Sequence, residues 1–322
     1  MANLKKIGLG VLGVLVLGVG GLLGGAMAKY DQTYDVELPD IKASQDPAVI
    51  ARGEYLVWGP GHCAGCHGAV EELDRYEETG ERVPLTGGFV MPLPPGNIVI
   101  PNITQDEATG IGKMSDGEIA RSLRYSVGRH GTQLFPVMPF TDLSKQDLTA
   151  IISYLRTIEP VAKERPKREL NMLGKVLFAF VMKPNGPSKP VVDQVQEGPT
   201  KEYGEYLARN VANCYGCHTN RSLETGEFFG EPMGGGLQLP HKGQVFTIPN
   251  ITPTGKGSRT NGWDEAGFLA RIKTGKPSAP GSPMPWIPAS QMKDDDLKAL
   301  WAYFSSLPGV DRDTGPALPS GG

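Results

Sequence analysis

The sequence predicts an all-α, loop-rich protein made of two tandem copies of one domain, placed behind an N-terminal hydrophobic helix. Three observations lead to that reading. Four short motifs occur twice in the same order along the 322 residues, the mark of a duplicated unit. Each copy closes with an apolar stripe at helical spacing. Glycine (43) and proline (28) are abundant, which favours long irregular connections between helices. Net charge is −3, so the electrostatic footprint of a nucleic-acid binder is absent.

The elements follow in chain order. Residues 1–30 hold Lys5 and Lys6 before an uncharged stretch from Ile7 to Met27. About 20 apolar residues can span a bilayer with flanking lysines on the cytoplasmic side. Ala26-Met27-Ala28 also fits a signal-peptide cleavage site, so anchor and cleaved signal both stand. Either one exports the remaining chain. The first unit, 47–161, opens with Asp46 as N-cap and Pro47 at the first helical position. Ser115-Asp116-Gly117-Glu118 has the form of a capping box before a helix through Leu123. Ser144 is the expected cap of a closing helix whose stripe is Leu148, Ile151, Ile152 and Leu155.

A linker, 162–198, carries the basic run Lys163-Glu164-Arg165-Pro166-Lys167-Arg168 and then an apolar segment from Leu173 to Met182. Two readings of residues 171–182 compete. One is a solvated linker that lays a short helix on a unit; the other is an amphipathic segment touching a membrane or a partner. The second unit, 199–310, repeats the first and ends in a helix with Asp294 as the expected cap. Its stripe is Leu297, Leu300, Trp301 and Phe304. Gly53 and Gly204 are placed to let the opening and closing helices of each unit cross closely. The tail, 311–322, is rich in Gly and Pro and is expected to be disordered.

The chemistry lies in the cysteines. Cys63-Ala64-Gly65-Cys66-His67 returns 151 residues later as Cys214-Tyr215-Gly216-Cys217-His218, and these runs contain all four cysteines. C-x-x-C-H is a c-type haem attachment site: two thiols add to the vinyl groups and the histidine lies under the iron. A single zinc site is disfavoured because its halves normally lie some 15–20 residues apart. A disulfide framework is possible in an oxidising compartment, but a two-residue loop within C-x-x-C suits redox or haem chemistry better than stapling a core, and no other cysteine exists to pair with. Two covalently bound haem c groups are therefore expected, held by Cys63, Cys66 and His67 and by Cys214, Cys217 and His218.

The repeat extends around these motifs. Gly53-Glu54-Tyr55-Leu56 matches Gly204-Glu205-Tyr206-Leu207, and Ile100-Pro101-Asn102-Ile103-Thr104 matches Ile248-Pro249-Asn250-Ile251-Thr252. Val137-Met138-Pro139-Phe140 corresponds to Pro283-Met284-Pro285-Trp286. Methionine opposite histidine raises the potential of a haem that only passes electrons. Met138 and Met284 are the expected sixth ligands because they occupy matching places before a proline. Met91 also precedes proline, but Leu239 stands opposite it in the second copy. His130 is the competing ligand for the first iron; His62 adjoins Cys63 and His241 lies in a Gly/Pro-rich loop.

With these residues placed, each unit resembles the cytochrome c subunits of membrane-associated alcohol, aldehyde and gluconate dehydrogenases. The resemblance lies in Pro101-Asn102-Ile103-Thr104 through Thr109-Gly110-Ile111-Gly112, the Ser115 helix start, and Met138-Pro139-Phe140; Pro249-Asn250-Ile251-Thr252-Pro253 repeats it. It implies two class I cytochrome c domains that take electrons from a dehydrogenase and deliver them to the respiratory chain. Those subunits typically carry three haem sites, whereas this chain has two. The expected role is electron relay without substrate chemistry, at a bacterial cell membrane with the haem domains on the periplasmic side, or free in the periplasm if residues 1–28 are removed. A di-haem peroxidase is the rival; it needs an open sixth position, which two matching Met-Pro loops would close. A di-haem enzyme of sulfur oxidation lacks a spare cysteine for an unusual ligand.

Overall fold

A computed structural model describes residues 2–223 and 226–316, with the side chains of residues 2–13 left out. Helix α1 runs from Ala2–Lys29. The first unit then has α2 (Pro47–Trp58), α3 (Ala64–His67), α4 (Leu73–Thr79), a hairpin of β1 (Val90–Leu93) and β2 (Gly96–Val99), α5 (Asp116–Tyr125) and α6 (Lys145–Leu155). The linker holds β3 (Glu169–Leu170), α7 (Met172–Val176) and a π-helical turn, Leu177–Val181. The second unit repeats the plan: α8 (Lys201–Tyr206) running into a π-helical turn, Leu207–Val211, then α9 (Cys214–His218), β4 (Gln238–His241), β5 (Gln244–Thr247), α10 (Glu265–Lys273), α11 (Trp286–Ser290) and α12 (Asp294–Ser305).

Local chemistry explains the helix starts. The Asp46 side chain accepts from Ala48 N with Pro47 at the first position. Ser115 and Glu118 form a reciprocal capping box, and Ser144 accepts from Asp147 N. In the second unit the cap of α12 is Lys293, which offers no side-chain bond, and Asp294 is the first helical residue. Asp294 instead pairs with Lys273 at 2.8 Å.

The opening and closing helices of each unit cross at glycine. A Cβ on Gly53 would lie 1.8 Å from Ala150 O, and one on Gly204 would lie 1.8 Å from Ala299 O. Only the bare backbone permits that approach. The apolar stripes meet there, with Leu56, Leu148, Ile152, Leu207, Leu297 and Leu300 among the buried residues of one cluster that spans both units.

The two units join through a reciprocal exchange. Tyr55 donates to Asp296 Oδ2 at 2.5 Å and accepts from Lys293 N at 3.0 Å. Tyr206 donates to Asp147 Oδ2 at 2.8 Å and accepts from Ser144 N at 3.2 Å. Tyr55 and Tyr206 are repeat equivalents, as are Asp296 and Asp147, so the halves are related by an approximate two-fold axis.

The all-α expectation is corrected by the strands. β1 pairs with β2 antiparallel, with Leu93 opposite Gly96, and β2 also pairs with β3. β4 pairs with β5, with His241 opposite Gln244. Lys242 (φ 47°) and Gly243 (φ 74°) form the second turn, the left-handed pair that a two-residue hairpin needs. Pro92 and Pro240 disguise these strands in the sequence, but each sits in a strand with a free edge, where proline is tolerated. Met91 and Leu239 do occupy the same register position, opposite Ile98 and Phe246.

The linker lies against the rest of the protein. Asn171 N and its side chain bond the hairpin tip at Pro95 O (3.2 Å) and Pro94 O (2.8 Å). Phe178, Ala179 and Met182 are buried, and Phe180 meets Gly25 of α1. Part of the expected disordered tail is also fixed: Asp311 accepts from Lys256 N at 2.8 Å, and Gly315 O accepts from Arg259 at 2.6 Å. Residues 317–322 lie outside the described residues. Among the described residues no helix is long and apolar enough to cross a membrane.

Candidate haem sites

Each C-x-x-C-H run forms a short helix, α3 or α9, that presents its cysteines and histidine together. All four cysteines are free thiols. Burial raises the Cys63 and Cys214 thiols to about 12. Burial first, and then the neighbouring Cys217 of the other unit, raise Cys66 to about 11. The thiols are therefore held protonated, and all four are half-buried.

Both histidines are oriented in the same way. His67 Nδ1 lies 2.8 Å from Pro101 O, and His218 Nδ1 lies 2.9 Å from Pro249 O. A carbonyl only accepts, so Nδ1 carries the proton and Nε2 keeps its lone pair. Burial holds both imidazoles below their ordinary range, hence neutral. This is the state an iron ligand requires.

The Asn-Ile-Thr repeat is the device that places those carbonyls. Asn102 Oδ1 accepts from Thr104 N at 2.9 Å, and Asn250 Oδ1 accepts from Thr252 N at 3.0 Å. The amide ends donate to Val161 O at 2.8 Å and Val310 O at 2.7 Å. Both asparagines are fully buried, so each strap after a closing helix is tied to the loop carrying the proline. Gly87 (φ 67°) and Gly235 (φ 66°) fit against these loops, where a Cβ would lie 2.5 Å from Pro101 O or from Pro249 C. Their amides donate at 2.8 Å to His67 O and His218 O. The sequence marked the Asn-Ile-Thr runs as repeats; their positioning role emerges only with the hydrogen bonds.

Met138 is half-buried and packs against the shared core, as Cys63 and Cys214 also do. Met284 is half-buried too, with its amide donating to Ser282 Oγ at 3.3 Å. Trp286 N donates to Met284 O at 2.8 Å, stiffening that loop. His130 is exposed. His62 Nδ1 is engaged with Pro60 O at 2.9 Å, and His241 stands edge-on to Phe246. Between the units lies a cleft of about 1020 Å³, where Met138 and Pro139 face Tyr215 and Gly216 of α9.

The residues fit a c-type haem. Each site pairs two half-buried thiols with a neutral imidazole whose outer nitrogen is already engaged. In the first unit Tyr76 Oη is buried without a partner, and its rise in pKa comes from burial and then from nearby Cys63. That is an orphaned donor beside the attachment site. The two C-x-x-C runs do not merge into one cage: among the described residues no three His, Cys, Asp or Glu side chains converge on a metal position.

The first unit, with this attachment helix and a carbonyl-oriented histidine, is the part of the chain that a known family model recognises. Residues 50–159 match the cytochrome c family model. The chain is similar to a diheme cytochrome c-type protein of Cereibacter sphaeroides, 28% identical over 270 residues, covering 81% of this chain and 86% of the relative. It is also similar to the gluconate 2-dehydrogenase cytochrome c subunit of Pantoea cypripedii, 28% identical over 290 residues, covering 82% of this chain and 60% of the relative. The fructose dehydrogenase cytochrome subunit of Gluconobacter japonicus is 26% identical over 283 residues, with 83% and 54% covered. The chain thus spans little more than half the length of the two dehydrogenase subunits.

Proposed function

We propose that this chain is an electron-transfer protein that carries two haem c groups and relays electrons from a dehydrogenase to a respiratory acceptor. The observation that supports it best is the matched pair of Nδ1–carbonyl bonds at His67 and His218, each in a run with two half-buried thiols. When bound, each haem supplies one-electron iron chemistry at a potential set by its axial ligands. The chain's part is to hold the group by Cys63 and Cys66 or by Cys214 and Cys217. It orients the imidazole of His67 or His218, and Met138 or Met284 would complete the ligand set of each iron.

The N-terminal helix is the proposed membrane anchor. The support is in the sequence, where the uncharged run from Ile7 to Met27 has the length of a hydrocarbon core; the side chains described in α1 begin at Val14 and do not by themselves reach it. Val14 (72% exposed) and Leu17 (77% exposed) turn apolar surface outward, which favours lipid around them. Lys175 Nζ lies 5.3 Å from the Tyr30 ring at the end of α1, a cation and an aromatic where an interface would fall. The haem units would then lie on the periplasmic side, next to a dehydrogenase partner.

Purified protein tests the reading. Two haems per chain, low-spin spectra in both oxidation states and reversible titration are expected. One haem per chain, or peroxide turnover with a strong high-spin signal, would overturn it. Met138→His should keep the first iron low-spin and lower its potential; an unchanged potential removes Met138 as ligand.

A further inference from the structure

The helix in the linker is apolar on both of its faces. Residues 172–181 run without a break from α7 into the π-helical turn, and Lys175 is their one charged residue. Gly174, Phe178 and Ala179 are buried against the protein. The outward side is apolar as well: Met172 is 44% exposed, Leu173 48%, Phe180 40% and Val181 57%. A helix that only bridges two units in water turns polar side chains outward. Four large apolar side chains on so short a segment call for a cover.

The neighbour of this face is the end of α1. A Cβ on Gly25 would lie 3.1 Å from Phe180. Lys175 Nζ lies 3.4 Å from Met27 Sδ, and Gln32 donates to Ala179 O at 3.3 Å. Before this contact α1 stands clear of the protein, with residues 14–22 all exposed. Val14, Leu15, Val16 and Leu17 are each more than half exposed. Four successive residues go right round a helix of about 3.6 residues per turn, so α1 is apolar on every side there. Cations and phenol rings gather where that surface ends. Lys175 lies 5.3 Å from the Tyr30 ring and Lys183 lies 5.9 Å from the Tyr34 ring. Neither lysine, nor Lys29, has a carboxylate partner among the described residues. Lysine and tyrosine at the end of an apolar span mark the headgroup level of a bilayer.

We propose that residues 172–181 make a second membrane contact, with Met172, Leu173, Phe180 and Val181 seated in the interface of a phospholipid bilayer beside the end of α1. The inference rests on the anchor reading above and adds to it. Continuity with α1 favours lipid as the occupant: the two surfaces adjoin, both are apolar without a polar pattern that would specify a protein, and the unpaired lysines suit phosphate headgroups. A lone span leaves the haem units free to turn about its axis, whereas two contacts fix them. Leu177, Val181 and Met182 also line the cleft beside Met138, so the seated segment holds that cleft next to lipid.

The test uses full-length haem-loaded protein in phosphatidylcholine–phosphatidylglycerol vesicles. Single cysteines from Met172→Cys, Leu173→Cys, Phe180→Cys and Val181→Cys carry a nitroxide, the native thiols being taken up by haem. Leu17→Cys reports the anchor, and Glu78→Cys, at an exposed position on α4, reports water. Collision with oxygen, which concentrates in lipid, is compared with collision with a water-soluble nickel chelate. The oxygen-to-nickel ratio at the linker sites should be several-fold above that at position 78 and below that at position 17. Linker labels as open to nickel as position 78, with position 17 in lipid, would overturn the second contact and leave the anchor standing. Linker labels closed to both reagents would place protein on this face and overturn it too. A label at position 17 open to nickel would overturn the anchor reading and this inference with it.

Discussion

The first and second units share a scaffold yet differ in how each treats its buried charge. In the first, Asp147 receives Tyr206 and also Arg52, through Nε at 2.9 Å and a terminal nitrogen at 3.2 Å. In the second, Asp296 receives Tyr55, but the place of Arg52 is taken by Tyr203, which instead receives a bond from Arg52 at 3.2 Å. Asp147 is thus an ion-paired carboxylate and Asp296 a carboxylate with a phenol partner. Duplication preserved the geometry of the helices, and substitution distributed the charges between them.

Breaking the shared part should have the largest effect. Gly53→Ala and Gly204→Ala each press a methyl into a backbone carbonyl and are expected to cost about 3 kcal/mol, read as a shifted denaturation midpoint. Equal shifts would show that the crossing matters alike in both units. Asp147→Ala leaves the buried Arg52 guanidinium only the more exposed Glu197, 3.4 Å away, and should cost about 3 kcal/mol. Asp296→Ala should cost clearly less, since no buried cation is stranded; similar losses would erase the contrast.

A pH series sharpens the same comparison. Burial raises Asp296 above its ordinary value despite the Tyr55 hydrogen bond. The folded state therefore binds this proton more tightly than the unfolded state. The stability it contributes is full below the ordinary carboxylate range and is lost as pH rises through the raised value. Asp296→Asn should flatten that decline; an unchanged slope counts against it. Asn102→Ala and Asn250→Ala should each cost about 1–3 kcal/mol by orphaning buried groups, with the haem spectrum of the affected unit perturbed. The smallest effect lies at the caps: Ser144→Ala should lose about 1 kcal/mol, and Lys293→Ser should gain a comparable fraction in thermal melts.

Much of this was legible from residue types. The C-x-x-C-H runs, the crossing glycines Gly53 and Gly204, and the caps Asp46, Ser115 and Ser144 depend on local spacing, which a sequence displays. The hairpins were hidden because Pro92 and Pro240 break the strand pattern, and their tolerance depends on which edge is free. The work of Asn102 and Asn250 was hidden because their partners, Val161 and Val310, lie some 60 residues away. The Tyr55–Asp296 and Tyr206–Asp147 bonds required the relative placement of the two units, which no local pattern encodes.

That reciprocal exchange has a consequence for how the chain came about. An isologous contact uses one surface patch twice, so a single-unit ancestor bearing one tyrosine and one aspartate could have formed both bonds with a second copy of itself. Fusing the genes would have made the dimer permanent and released each half from self-complementarity. Arg52 facing Tyr203 is the kind of asymmetry that a homodimer could not hold at a single site. A chain cut within the linker should therefore yield halves that find each other again, because the older recognition surface is still in place.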